Sequence, residues 1–125
     1  MVTLQFPVLG VDDLDRGVRF WSALLDYRPR DAHRTPRWCT LDPASGEGPS
    51  LALQLSETPV QPFPRMHLDL GVHGVAEQQA AVDRVCELGG RRIEWDQWPD
   101  DPDFVVVEDT EGNRFCLVDL DHPGS

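Results

Sequence analysis

A histidine and a carboxylate lie two residues apart in a short apolar segment of the second half of the sequence. His67 and Asp69 alternate with leucines, and such alternation predicts a β-strand. Because side chains two residues apart project from the same face of a strand, His67 and Asp69 are expected to lie side by side. The carboxylate could orient the imidazole, which would then act as a base or as a hydrogen-bond donor toward a ligand. The alternative is a structural polar pair, or a subunit contact, with Arg65 or Arg114 as counter-ion.

A cysteine occupies a similar alternating segment near the end of the chain. Cys116 follows Arg114 by two residues. A thiol beside a guanidinium could have a lowered pKa and act as a nucleophile; the alternative is an inert thiol that lines a pocket. Cys39 and Cys86 complete an odd set without C-x-x-C spacing, which predicts neither a zinc knuckle nor a thioredoxin-type pair. Free thiols indicate a reducing, cytoplasmic location.

The composition excludes several kinds of chemistry. The 125 residues carry 22 acidic and 11 basic side chains, for a net charge of −11, and every basic one is arginine. Without lysine there is neither a Schiff-base amine nor a phosphate-loop lysine. Because phosphate repels so acidic a surface, no nucleic-acid partner is expected. No apolar run approaches the roughly 20 residues of a membrane span, and the first residues lack the pattern of a signal peptide, so no membrane partner is expected.

Two similar stretches open the two halves of the chain. Residues 6–11 and 67–72 each predict a strand that ends in Gly-Val. A helical pattern follows each of them. Asp13 or Asp15 is expected to cap the start of the first helix, and the pair Gly89–Gly90 is expected to end the second.

Three more strands are predicted after each helix. The predicted segments are residues 28–35, 38–41 and 51–55 in the first half, and residues 91–95, 104–108 and 114–118 in the second. Pro29 and Pro36 weaken the prediction for the first of these segments, because proline cannot donate to a sheet. Each half therefore has the order β-α-β-β-β.

The shared order indicates an internal duplication. Gly10 matches Gly71, and Leu53–Leu55 matches Phe115–Leu117. The number of residues that separates the two members is nearly the same for both matches. We expect one domain over residues 1–125. It would comprise module one at about 3–58, a stiff proline-rich linker at 59–64 and module two at about 65–121.

The order and spacing of three motifs resemble those of a known superfamily. The motifs are Phe20–Trp21, Arg65–Leu70 and Asp109–Leu117. With the duplicated element order, they resemble the vicinal oxygen chelate superfamily, which includes glyoxalase I, extradiol dioxygenases and bleomycin-resistance proteins, and in particular its glyoxalase-like domain branch. The resemblance implies an α+β fold whose two modules form a curved, cup-shaped mixed sheet with helices on the outer face. A ligand, and in some members a divalent metal, would lie in the cup, which could form within one chain or between two.

The resemblance also implies where a metal would bind. Members that bind a metal use four strand positions, which fall here on Phe6, Gln54, His67 and Cys116. A phenyl ring has no donor atom, and an amide and a thiol are poor ligands for a hard divalent ion, so a conventional site is not expected. The remaining candidate metal ligands are His67, Gln54 and Cys116. His67 and Cys116 could instead hold a softer ion such as zinc together with Asp69.

Strand parity predicts which residues face a ligand in such a cup. His67, Asp69, Arg114 and Cys116 project away from the helix-covered face of their strands. Trp21 is expected in the core, whereas Trp38, Trp95 and Trp98 could wall an apolar pocket for a planar ligand, or could pack at sheet edges. The predicted ligand-binding residues are Phe6, Trp38, Gln54, His67, Trp98, Arg114 and Cys116.

A preserved scaffold with substituted metal positions favours one function over two others. The favoured function is a homodimeric small-molecule-binding protein of the bleomycin-resistance kind, which holds an apolar or aromatic ligand without a conventional divalent metal or another cofactor. The alternative is an enzyme, a lyase, isomerase or dioxygenase-like catalyst, that uses His67 and Asp69 with a non-standard metal site. The third is a structural or regulatory dimer whose cup is filled by side chains.

Overall fold

The computed structural model describes residues 1–94, 96 and 98–124. The chain divides into two compact units, Met1–Pro59 and Val60–Ser125. The residues predicted as a linker, from Val60 onward, belong to the second unit. Among the described residues, no helix has the length and apolar character needed to cross a membrane. The single-domain arrangement over residues 1–125 stays a prediction.

The first unit contains a four-stranded mixed sheet and one helix. Its elements are β1 (Val8–Val11), α1 (Leu14–Leu25), β2 (Tyr27–Pro29), β3 (Trp38–Pro43) and β4 (Leu51–Leu55). The strand order is β1-β4-β3-β2, with β1 parallel to β4 and the other pairs antiparallel. The parallel pair is possible because α1 and two further strands intervene in sequence and supply the crossover that such a pair needs.

Helix α1 begins and ends where the sequence supplies a cap. The Asp13 carboxylate accepts a hydrogen bond from the Arg16 backbone N–H at 3.0 Å, which satisfies a free donor of the first turn. Asp26 ends the helix in the left-handed conformation, with φ 54°. Between the caps, Phe20 and Trp21 are fully buried with their rings edge to face. This aromatic pair anchors α1 on the sheet.

The second unit repeats the same order of elements. They are β5 (Asp69–Val72), α2 (Val75–Glu87), β6 (Arg91–Arg92), β7 (Phe104–Glu108) and β8 (Arg114–Asp119). The strand order is β5-β8-β7-β6, again with one parallel pair, β5 with β8. The prediction of an α+β fold built from two β-α-β-β-β modules is confirmed.

Two local motifs fix the second unit. Gly89, with φ 99°, follows α2, and its N–H donates to the Cys86 carbonyl while that of Gly90 donates to the Val85 carbonyl. This is a Schellman motif, which requires a residue that tolerates positive φ. In the β7–β8 turn, buried Asp109 accepts hydrogen bonds from the N–H groups of Glu111 and Asn113.

Several strands are shorter than predicted. The opening strands begin at Val8 and Asp69, so Phe6 and His67 precede them. Strand β2 covers 27–29 where 28–35 was predicted, because the chain turns at His33, whose φ is 62°. Strand β6 covers 91–92 of the predicted 91–95, and Trp95 lies outside the described residues.

Candidate functional site

The register of β5 against β8 brings the predicted polar residues together. Asp69 and Cys116 are direct partners in this parallel pair. The pairing continues one residue earlier, where the Cys116 N–H donates to the Leu68 carbonyl at 2.9 Å. Asp69 and Cys116 therefore project side by side from one face, and His67 projects from the same face because it precedes Asp69 by two residues.

These three side chains form a compact cluster. The Nδ1 atom of His67 lies 3.1 Å from an Asp69 carboxylate oxygen, and the two side chains are 45% and 60% exposed. A ligating nitrogen, oxygen and sulfur from His67, Asp69 and Cys116 all lie within 4.8 Å of one another. The predicted closeness of His67 and Asp69 is present. Within the described part of the chain, neither Arg65 nor Arg114 forms an ion pair with this cluster.

The surroundings of Cys116 suppress its ionisation. Burial raises the pKa of the thiol from 9.0 to about 11, and the charge of Asp69 and a hydrogen bond to it act in the same direction. The possibility that Arg114 lowers this pKa is therefore wrong. The Arg114 guanidinium instead lies over the Phe63 ring, 5.6 Å from its centroid, while the charge beside the sulfur is negative.

Two members of the cluster, His67 and Cys116, line a pocket of about 240 Å³ within the second unit. Its polar lining comes from His67, Arg114 and Cys116. Its apolar lining comes from Pro62, Phe63, Pro64, Val106 and Phe115. Ligand pockets typically combine mostly apolar walls with a few convergent polar groups, as this one does.

Three of the predicted ligand-binding residues line this pocket and four do not. Trp98 instead stacks on Phe104, with ring centroids 5.3 Å apart, and Arg92 lies over its ring. Phe6, Trp38 and Gln54 belong to the first unit. There, Trp38 and Gln54 are direct partners across β3 and β4, so the sheet brings those two together as well. Their roles in ligand binding stay predictions.

The apolar wall of the pocket was missed at the level of sequence. The segment Pro62–Pro64 reads as a linker because of its prolines, yet it lines the pocket in the second unit. Phe63 is the signal that could have identified it, because aromatic side chains commonly line ligand pockets. Phe63 is 56% exposed, and the Arg114 guanidinium lies over its ring.

The residues do not fit the hard divalent ion of a conventional site. Phe6 has no donor atom. In the first unit, the counterpart of Cys116 is Ala52 in β4. The Ala52 N–H donates to the Pro7 carbonyl, and in the second unit the Cys116 N–H donates in the same way to the Leu68 carbonyl. The sequence match had paired Cys116 with Gln54, two residues away. Alanine also lacks a donor, so the first unit offers no ligand at either equivalent position.

The comparisons with known proteins agree with this architecture. The family model described as a glyoxalase-like domain matches residues 6–118. No curated protein matches the sequence significantly.

Three solved structures illustrate the likeness. A glyoxalase/bleomycin resistance protein/dioxygenase family enzyme from Burkholderia phytofirmans is 15% identical, with TM-score 0.75, over 95% of this chain and 99% of that one. The fosfomycin resistance protein FosX from Listeria monocytogenes is 15% identical, with TM-score 0.71, over 94% and 91%. A glyoxalase-related enzyme from Fulvimarina pelagi is 20% identical, with TM-score 0.70, over 94% and 88%. The chain belongs to the glyoxalase-like domain family of the vicinal oxygen chelate superfamily.

Proposed function

We propose that this protein binds a small apolar or aromatic molecule in the pocket of the second unit, without a conventional divalent metal. The observation that carries the proposal is the pocket itself, whose lining combines Phe63 and two proline rings with the polar side chains of His67, Arg114 and Cys116. The apolar wall would supply affinity, and the polar edge would fix the orientation of the ligand.

The dimensions and the aromatic wall restrict the ligand. An apolar cavity of about 150 Å³ accepts benzene, so a pocket of about 240 Å³ suits one substituted ring. Phe63 can stack on that ring, and the guanidinium of Arg114 already lies over Phe63. Aromatic pairs contribute about 0.5–1.5 kcal/mol beyond the apolar area they bury.

The test is a thermal-shift screen of substituted aromatic compounds, because a ligand that binds only the native state raises the melting temperature. Phe63→Ala is expected to weaken the binding of any hit about tenfold, the loss of a stacking contact. Met66→Ala is the matched control, since Met66 is 72% exposed and does not line the pocket. Equal effects of the two substitutions, or chemical shift changes that avoid residues 114–116, would refute the proposal.

The His67–Asp69 pair favours a second candidate, an enzyme of the lyase, isomerase or dioxygenase-like kind. The Asp69 carboxylate holds Nδ1 of His67 at 3.1 Å, an arrangement in which the imidazole can act as a general base. His67→Gln keeps a polar side chain but removes the base. It is expected to reduce turnover of a substrate at least about 100-fold while its binding changes little. A parallel loss of binding would instead assign His67 to recognition.

We further propose that the protein acts in the cytoplasm as a homodimer. The three cysteines are free thiols, as a reducing compartment favours. Light scattering coupled to size exclusion measures the mass directly; a particle of one chain mass at micromolar concentration contradicts the dimer.

A further inference from the structure

We propose that His67, Asp69 and Cys116 form a site for zinc or a similarly soft divalent ion, built entirely within the second unit. This goes beyond the binding of an organic ligand, and it is measured without one. The three residues offer imidazole nitrogen, carboxylate oxygen and sulfur, the ligand types that zinc combines in proteins.

The distances are close to those of a tetrahedral zinc site. Zinc bond lengths of about 2.0–2.3 Å place ligand atoms roughly 3.3–3.6 Å from one another. His67 and Asp69 are already 3.1 Å apart, and the whole set lies within 4.8 Å. The ligand atoms must therefore shift by only about 1 Å, which rotation of the half-exposed His67 and Asp69 side chains can supply.

The charge around the sulfur also suits a cation. Asp69 is the direct strand partner of Cys116, and its carboxylate attracts a positive ion. On binding, the S–H bond breaks, a bond from sulfur to the metal forms, and the proton passes to solvent. Three protein ligands leave a fourth position open. Because His67 and Cys116 line the pocket, that position would face its interior.

This site differs from one that spans both modules of the family. Asp69 is an essential ligand here, whereas neither Phe6 nor Gln54 takes part. The difference gives the experiment its discriminating variants, which are Asp69→Asn for the proposed site and Gln54→Ala for a site that needs the first unit.

The experiment measures zinc affinity by competition with a chromophoric chelator, after metal has been stripped from the full-length protein. We expect one zinc per chain, and an affinity loss of at least about 100-fold for His67→Gln, Asp69→Asn and Cys116→Ser, since changes merely around a metal site cost 10–100-fold. Cys86→Ser and His73→Gln are matched controls, because both residues are exposed and lie outside the cluster. Their affinities should equal that of the wild type.

A cobalt spectrum of the wild-type protein gives a second readout that does not require the ligand variants to fold. Co²⁺ added to the wild type should produce a thiolate-to-metal charge-transfer band, and Cys86→Ser should retain it. Absence of the band, loss of zinc in the control variants, or retention of zinc in Asp69→Asn overturns the proposal. Loss of zinc in Gln54→Ala also overturns it, in favour of a site that includes the first unit.

Discussion

The thiol of Cys116 is expected to react slowly with alkylating agents, and Asp69→Asn is expected to accelerate it. Burial and Asp69 raise the pKa of this thiol from the usual 9.0 to about 11. Only the thiolate is nucleophilic, so at pH 8 the reactive fraction falls roughly a hundredfold. A thiolate of higher pKa is intrinsically more nucleophilic, with a Brønsted coefficient of about 0.4–0.5, which restores roughly a factor of ten.

The net expectation is that Cys116 reacts roughly tenfold more slowly than a thiol with the usual pKa. Cys86 is exposed and serves as the internal reference in the same molecule. Iodoacetamide labelling at pH 8 in the presence of a chelator, followed by peptide mass spectrometry, measures both rates. In Asp69→Asn the rate at Cys116 should rise several-fold, because the carboxylate charge and its hydrogen bond are removed, while the rate at Cys86 stays constant.

Two results would refute this reasoning. Labelling of wild-type Cys116 as fast as Cys86 would mean that neither burial nor Asp69 suppresses the thiolate. A pH profile for Cys116 that levels off below pH 9 would place its pKa at or below the usual value. If Asp69→Asn leaves the rate unchanged and the profile keeps rising, burial alone accounts for the shift.

Three further predictions concern stability. Hydrogen bonds from Arg30 and Ser50 lower the pKa of Asp42 from 3.8 to about 2. This stabilisation is present above pH 4 and is lost as pH falls toward 2. Asp42→Asn should therefore lower the free energy of unfolding at pH 7 by up to about 1 kcal/mol after solvent screening, and should flatten the acid-denaturation curve between pH 4 and 2. A hydrogen bond to Asp121 raises the pKa of His73 above 6.5, so this ion pair stabilises the fold below pH 6.5 and ceases to do so as pH rises through the raised pKa. NMR titration should give a lower pKa for His73 in Asp121→Asn than in the wild type. Gly89→Ala should cost about 1–2 kcal/mol in urea unfolding, because an L-residue is strained at φ 99° and its Cβ would lie 3.1 Å from Thr110; no loss would contradict the Schellman assignment.

Periodicity and capping signals predicted most of the fold. Strand alternation identified the faces of β5 and β8, and local motifs such as Asp13 before α1 and Gly89 after α2 marked helix ends. These features are local, since each depends on residues within one turn or one strand. Boundaries were less accurate, because the first bridge of β1 and β5 depends on where a distant strand begins.

The candidate site was only partly predictable, because its electrostatics depend on neighbours across strands. The sequence places Arg114 two residues from Cys116 and leaves open an acidic thiol or an inert one. The register of β5 with β8 instead sets Asp69 directly beside Cys116, and Arg114 lies over Phe63. The pKa of Cys116 is therefore raised, first by burial and then by a contact between residues far apart in sequence.

The two modules also show why parity alone cannot locate equivalent residues. Ala52 and Gln54 project from the same face of β4, so both satisfy the alternation that sequence can detect. Only the register of β4 with β1 and of β8 with β5 shows that Ala52 is the counterpart of Cys116. The duplicated position is thus a thiol in one module and a methyl group in the other.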